Sequence, residues 1–339
     1  MDWTQKHILV TGGASFISSH LIDLLVDKGA RRIRVVDDLT SGRLANIERH
    51  IDSGVVEFHR EDLLAPGVPQ RMTAGIDVVF HLAAIHGGRG FVDLHQAACS
   101  QNLAMDGMLI KAAHEAGVEK FVFASSGCVY PNFLQGDVNK ELYLTEEMVG
   151  PPYDADNMYG WAKLMTEMTL QAYARDFGLK AASCRFFTVY GERGVENHAV
   201  IAMIARAFVR QDPFEVWGDG TQIRNWTYVG DIVSGMVLAA EKIDDGTAVN
   251  LGTEERTRVI DAVHEVLRTT GHQATIKLLP HMPTGPLNRV ASNRLARQLL
   301  GWEPRMKFMD GLHRTIDWYF ASRQRETVSG YLAEMLTER

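Results

Sequence analysis

The chain has 339 residues, 46% of them hydrophobic and 23% charged, with a formal net charge of −7. That composition can fill the core of two domains or of one large α/β unit, and it excludes a disordered or fibrous chain. No basic run exceeds two residues, so nothing points to non-specific nucleic-acid binding.

The first half alternates strand and helix signals. His7–Thr11 reads as a short apolar strand, followed by a Gly/Ser turn and a periodic helix over Phe16–Lys28. Strands are predicted at Arg32–Val36, Val55–His59 and Val78–Ala83, then a long helix at Ala97–Ala116. Lys120–Ser125, a second long helix at Asn157–Phe177, and Ala181–Phe187 complete the series. Repeated β-then-α units imply a parallel sheet with helices on both faces. Continuous apolar runs such as Val78-Val79-Phe80 and Phe121-Val122-Phe123 suit strands buried on both sides.

After Gly191 the alternation stops. A helix is predicted over His198–Arg210, with short strands at Phe214–Trp217 and Asn225–Tyr228 around the turn Gly218-Asp219-Gly220. Val249–Gly252 reads as a strand returning to the main sheet, and Val259–Gly271 and Gly311–Arg323 as helices. The expected fold is α/β: a doubly wound parallel sheet with a smaller interleaved C-terminal lobe. Residues 1–187 and about 225–252 would form the first unit, 188–224 and 253–325 the second, and 326–339 a C-terminal tail.

Cys99, Cys128 and Cys184 form neither a disulfide framework nor a zinc spacing, which points to a reducing cytoplasm and no metal. MDWTQKHILV carries no visible signal peptide. No stretch approaches the roughly 18 apolar residues of a membrane span, so no membrane partner is expected.

Gly12, Ser15 and Ser18 follow the first strand with the spacing of a G-x-x-G-x-x-G turn, with serine at two glycine positions. Such a turn opens a helix whose N-terminal N–H groups can hold a pyrophosphate. Phe16 and Ile17 would flank it. Asp37, with Asp38 beside it, ends the next strand where a carboxylate binds the ribose diol of NAD and repels the 2′-phosphate of NADP. Asp62-Leu63 follows the third strand, on the expected adenine side, and Leu82-Ala83-Ala84 puts small residues where backbone meets cofactor. Asn102, Tyr159, Lys163 and Phe186 complete the expected cofactor set.

Tyr159 and Lys163 stand four apart at the start of a helix, on one face. A phenol with its ordinary value near 10 is a poor base at neutral pH, and a neighbouring ammonium and a cationic nicotinamide favour the phenolate. That pair would take a proton from a sugar hydroxyl while hydride leaves the same carbon. Ser126, 33 residues upstream, would hydrogen-bond the same oxygen.

These residues carry a resemblance. TGGASFISSHL, DDLTSGR, HLAA, SSGCVY, the Tyr159–Lys163 pair, RFFTVYG, GDGTQIRNWTYVGD and LGWEP occur in the order of the extended short-chain dehydrogenase/reductase family of nucleotide-sugar epimerases and dehydratases. The resemblance implies a Rossmann-type NAD domain, a C-terminal lobe for a nucleotide-diphosphate sugar, and a homodimer through the two long helices. Sugar dehydratases of the family usually have a carboxylate after Ser126; Gly127-Cys128 stands there instead. Three stretches are similar to the GDP-mannose 3,5-epimerase subfamily: SSGCVYPNF (SSACIYPEF there), GGRGF (GGMGF) and FEVWGDG (FEMWGDG).

A cysteine suits that chemistry. A ketone at C4 acidifies the hydrogens at C3 and C5, and a thiol, ordinarily near 8.5, can exchange one near neutrality. Cys128 is therefore a candidate acid/base, while Cys99 and Cys184 read as core. The subfamily's opposing lysine is missing, and the best alignment places His198 there, a one-residue shift placing Asn197. Inversion at C3 or C5 alone, or at C4, stays open, as does dehydration or net oxidoreduction. The resemblance further implies substrate contacts from Gly88, Arg89, Ser126, Thr188, Trp217, Arg224 and Arg289, the last two as guanidinium clamps on a diphosphate.

Overall fold

The computed structural model describes residues 1–337. In chain order its elements are β1 (His7–Thr11), α1 (Phe16–Asp27), β2 (Arg32–Val36), α2 (Glu48–Asp52), β3 (Val56–His59), α3 (Val68–Thr73), β4 (Val78–His81), α4 (Arg89–Leu94), α5 (Gln96–Glu115), β5 (Lys120–Ser126), α6 (Asn157–Phe177) and β6 (Lys180–Phe186). There follow β7 (Val189–Tyr190), α7 (Ala199–Phe208), β8 (Phe214–Trp217), β9 (Ile223–Arg224), β10 (Thr227–Tyr228), α8 (Val229–Lys242), β11 (Asp245–Leu251), β12 (Thr257–Arg258), α9 (Val259–Thr270), β13 (Ile276–Leu279), β14 (Asn288–Arg289), α10 (Arg294–Leu300), α11 (Phe308–Ser322) and α12 (Arg325–Thr337).

Seven parallel strands form the main sheet in the order β11-β6-β5-β4-β1-β2-β3. Because side chains alternate along a strand, β1 feeds two cores. Ile8 and Val10 join α1 and α8 on one face, and Leu9 joins residues of α3, α5 and α6 on the other. This is a Rossmann-type doubly wound sheet, and its strand order reverses direction between β1 and β4. At such a switch point the carboxyl ends of the strands open onto a crevice.

The short strands beyond β6 form small separate sheets, β12-β9-β14, β13-β8 and β10-β7. The core on the α8 face runs on without a break into α7, α9 and α11.

Several elements differ from the sequence reading. The run expected as a strand over Asn225–Tyr228 keeps only β10 at its end, with β9 lying just before it. The sequence reading has no helix at α8, where Gly230 and Gly235 lower helix propensity. The close packing explains one of them, because a Cβ on Gly235 would lie 2.6 Å from Leu251 of β11. The segment read as a tail from 326 is the helix α12, which buries Val328 and Leu332 against the core. Residues 338 and 339 of that segment lie outside the described part. Among the described residues no helix is long and apolar enough to cross a membrane.

Candidate functional site

The turn after β1 is built for close approach. Gly12 has φ +64°, and a Cβ on it would lie 3.1 Å from the Ala83 backbone. A Cβ on Gly13 would meet Val35 Cγ1 at 2.5 Å, so the turn sits directly on β2. Ser15 caps α1 without a side-chain bond to it, leaving first-turn amides unpaired beside a cleft whose wall includes Ser15, Phe16 and Ile17. Asp37, 6% exposed, accepts the N–H groups of Ala14 (3.0 Å) and Leu39 (2.8 Å). Burial holds its carboxyl above the usual range. Free amides, a glycine cradle and a terminal carboxylate are the donor set that a dinucleotide requires, so these residues fit NAD.

The other expected cofactor residues divide. Leu82, Ala84 and Phe186 line the cleft, and Ala83 presents backbone to Gly12. Asp38 and Asp62 turn back on their own loops, accepting the N–H groups of Thr40 and Leu64 at 2.8 Å each. The Leu63 side chain is core. The Asn102 amide grips Ile85, accepting the N–H at 2.8 Å and donating to the C=O at 2.9 Å. Fully buried, it holds the loop after β4 in place.

A buried relay that sequence reasoning missed ties the turn to the helices. Thr11 Oγ1 accepts the N–H groups of Leu82 (3.1 Å) and Ala83 (3.0 Å) and bonds His81 Nδ1 at 2.7 Å. His81 Nε2 meets Asp106 at 2.9 Å, and Thr166 donates to Asp106 at 2.7 Å. The signal was present as polar residues on otherwise apolar strand and helix faces.

The cleft encloses 460 Å³ and brings Ser126, Cys128, Tyr159, Lys163 and His198 onto one wall system. Lys163 is 1% exposed, with Nζ 5.6 Å from the Tyr159 ring centre. Burial lowers its ammonium, while the Asp106 charge pulls the other way. Enclosure, then the neighbouring Cys128 and Asp106, hold the Tyr159 phenol above its ordinary range, and a Ser126 hydrogen bond opposes them. The protein alone therefore keeps the phenol protonated, and phenolate needs a further positive charge beside it.

Cys128 is half-buried and pinned by the start of α6. A Cβ on Gly160 would lie 2.3 Å from Cys128 O, and Asp156 N–H donates to that oxygen at 2.8 Å. The Cys128 N–H donates to Ser126 Oγ at 3.1 Å. Arg289 donates to Cys128 Sγ at 3.3 Å, to Asp156 at 3.1 Å and to Gln135 at 2.7 Å. Arg289, expected on a diphosphate, thus also touches the thiol. Cys99 and Cys184 are fully buried, and burial pushes Cys184 up to about 12.

His198 sits at the N-cap of α7, where enclosure pushes it down to about 4 and keeps the ring neutral at pH 7. Its ring stacks on His86, with centroids 5.9 Å apart and planes at 29°. His86 was not singled out by the sequence; its signal was a histidine between the HLAA stretch and Gly87-Gly88.

Toward the lobe, Gly88 and Thr188 line the cleft with half-buried Trp217. Arg89 pairs with Asp93 (2.6 Å) and Asp156 (2.8 Å), so its charge is already matched. Arg224 donates only to carbonyls, of Ile223 (2.8 Å) and Thr284 (2.7 Å). Enclosure and the nearby Arg289 and Arg89 push it down to about 9. Arg206 of α7, also missed, is 6% exposed on the cleft wall with Nε unpartnered, and burial pushes it down to about 10. A lone cation in the apolar run of α7 was its signal.

A family model described as NAD dependent epimerase/dehydratase matches residues 8–252. GDP-mannose 3,5-epimerase 1 of Oryza sativa subsp. japonica is 33% identical over 331 residues, 96% of this chain and 85% of that protein. The UDP-glucose 4-epimerase of Thermotoga maritima, solved with UDP-glucose, superposes with a TM-score of 0.82 at 30% identity, covering 92% of this chain and 98% of that one. The UDP-glucuronic acid 4-epimerase of Bacillus cereus, solved with UDP-glucuronic acid and NAD, gives 0.82 at 29% identity, with coverages of 92% and 98%.

Proposed function

The chain belongs to the NAD-dependent epimerase/dehydratase family, and we propose that it inverts a nucleoside-diphosphate sugar through transient oxidation at C4 and proton exchange at C3, C5 or both. The observation that carries this reading is Cys128. Its sulfur lines the cleft two residues from Ser126, where elimination of water would use a carboxylic acid, and Arg289 donates to it.

Asp37, Gly12 and the first-turn amides of α1 hold NAD. When bound, the cofactor supplies a hydride acceptor at C4 and returns the hydride after inversion. Tyr159 takes the C4 hydroxyl proton as Ser126 donates to the same oxygen, and Lys163 steadies the phenolate. The resulting ketone lets the neighbouring C–H release its proton, because the electron pair spreads onto oxygen. His198, neutral at pH 7, accepts one proton while the Cys128 thiol gives another on the other face of the sugar. Arg289 is oriented toward the negative charge left on sulfur. Arg224, without a carboxylate among the described residues, grips the diphosphate, and Trp217 stacks on the base.

The test is turnover in deuterated water with GDP-mannose, UDP-glucose and UDP-glucuronic acid. Inversion with deuterium at C3 or C5 is the expected result. Inversion at C4 without deuterium selects a 4-epimerase, the reading favoured by the likeness to the Thermotoga maritima enzyme. A 6-deoxy-4-keto product would mark a dehydratase.

A further inference from the structure

We propose that His86 and His198 work as one imidazole pair that carries the sugar proton Cys128 does not handle, with His86 the member that exchanges it with solvent. The proposal rests on the epimerase reading above. Three observations support it.

The first is placement. The two rings stack at 5.9 Å, and the His86 ring lies 6.5 Å from that of Tyr159, so the pair borders the residue assigned to the C4 hydroxyl. Both residues line the cleft.

The second is vacancy. Among the described residues neither imidazole has a hydrogen-bond partner, although Arg89, Arg224 and Arg289 in the same cleft are tied down. Free ring nitrogens on the wall of a cleft are available to substrate and water.

The third is graded exposure on a fixed mount. His198 is half-buried, while His86 is exposed to the mouth of the cleft. Asn102 holds both backbone polar groups of Ile85, so the residue before His86 cannot drift. The pair therefore leads from the sugar end outward. The cleft walls around it, then His198 and Lys163, lower the His86 imidazole although the residue keeps solvent access, and burial lowers His198. Two protons beside the Lys163 ammonium would repel each other, so the pair takes one at a time.

The step balances. The C–H bond beside the C4 ketone breaks, and its electron pair becomes the enolate. The proton forms an N–H bond on His198. The imidazolium passes a proton to His86 by way of water, and His86 releases it to solvent. On the other face the S–H bond of Cys128 breaks as the new C–H bond forms, and the thiolate regains a proton from solvent. One proton leaves and one enters per inversion.

The experiment uses the NAD-loaded enzyme in deuterated water with whichever of GDP-mannose, UDP-glucose and UDP-glucuronic acid the wild type inverts with label. Transient NADH absorbance reports C4 oxidation. Mass spectrometry reads the label in recovered substrate, which measures how fast the abstracted proton exchanges before it returns. For His86→Asn the NADH transient is expected to persist, inversion to fall about 100-fold, and label in recovered substrate to fall about tenfold. His86→Phe, which keeps a ring in the stack, should match Asn. Wild-type inversion and label in His86→Asn would overturn the proposal. So would recovery of activity in His86→Phe, since the ring and not the proton would then matter. If the wild type itself inverts without label, the epimerase reading fails first and this proposal falls with it.

Discussion

The two sides of the cleft handle charge in opposite ways. Below the turn after β1, polar groups are matched: Asp37 accepts two backbone amides, and Thr11, His81, Asp106 and Thr166 form a closed buried relay. On the opposite side guanidinium groups accumulate. Arg89 and Arg289 share Asp156, and Arg224 leans on carbonyls alone. A satisfied network is rigid without a ligand, whereas an enclosed cation without a carboxylate costs stability until an anion arrives. One side is thus a preformed cradle, and the other keeps binding energy for the substrate.

The sharpest way to test the contrast is on the cradle side. Tyr159→Phe should lower turnover about 10²- to 10⁴-fold while NAD stays bound, because it removes only the proton acceptor. Turnover within threefold of the wild type would remove Tyr159 from the reaction. Arg224→Met probes the other side. Losing a charge-assisted contact of about 1.5–3 kcal/mol should weaken GDP or UDP binding roughly 10- to 100-fold by calorimetry. Thermal stability should hold or rise, since no ion pair is lost and an enclosed charge is removed; a large fall in Tm would show that Arg224 is structural.

The smallest effect concerns pH. His198 titrates at about 4 in the folded chain against an ordinary 6.5. Its folded value is lowered, so the unfolded chain binds the extra proton first, and stability falls as pH drops from about 6.5 toward about 4. Relative to wild type, His198→Asn should therefore gain about 2 °C in Tm at pH 5 and nothing at pH 8. Equal shifts at both pH values would rule out this titration.

The cradle was legible because its parts are close in sequence. Gly12, the start of α1 and Asp37 all fall within one strand–turn–helix–strand unit, and Tyr159 and Lys163 share one helix face. The pieces read poorly were those whose state depends on distant partners. Helix α8 hides behind two glycines, one of them needed where Leu251 approaches. Helix α12 has a weak periodic signal of its own; Tyr331 donates to the buried Glu196 at 2.9 Å, and Val328 and Leu332 join the core. Asn102 and Arg289 were recognised as site residues, but their protein partners, Ile85 for one and Cys128, Asp156 and Gln135 for the other, were not. Their types announce hydrogen bonding, and only packing says with whom.

The amino-acid order by itself determined a parallel α/β sheet, the dinucleotide turn and the Tyr–Lys pair, because strand alternation, glycine conformation and helical spacing act over a few residues. Tertiary structure alone decided that Arg289 donates to Cys128 across 161 positions, that His86 stacks on His198, and that α12 closes on the core. Those contacts join side chains far apart in the chain, and no local rule of spacing encodes which of them meet.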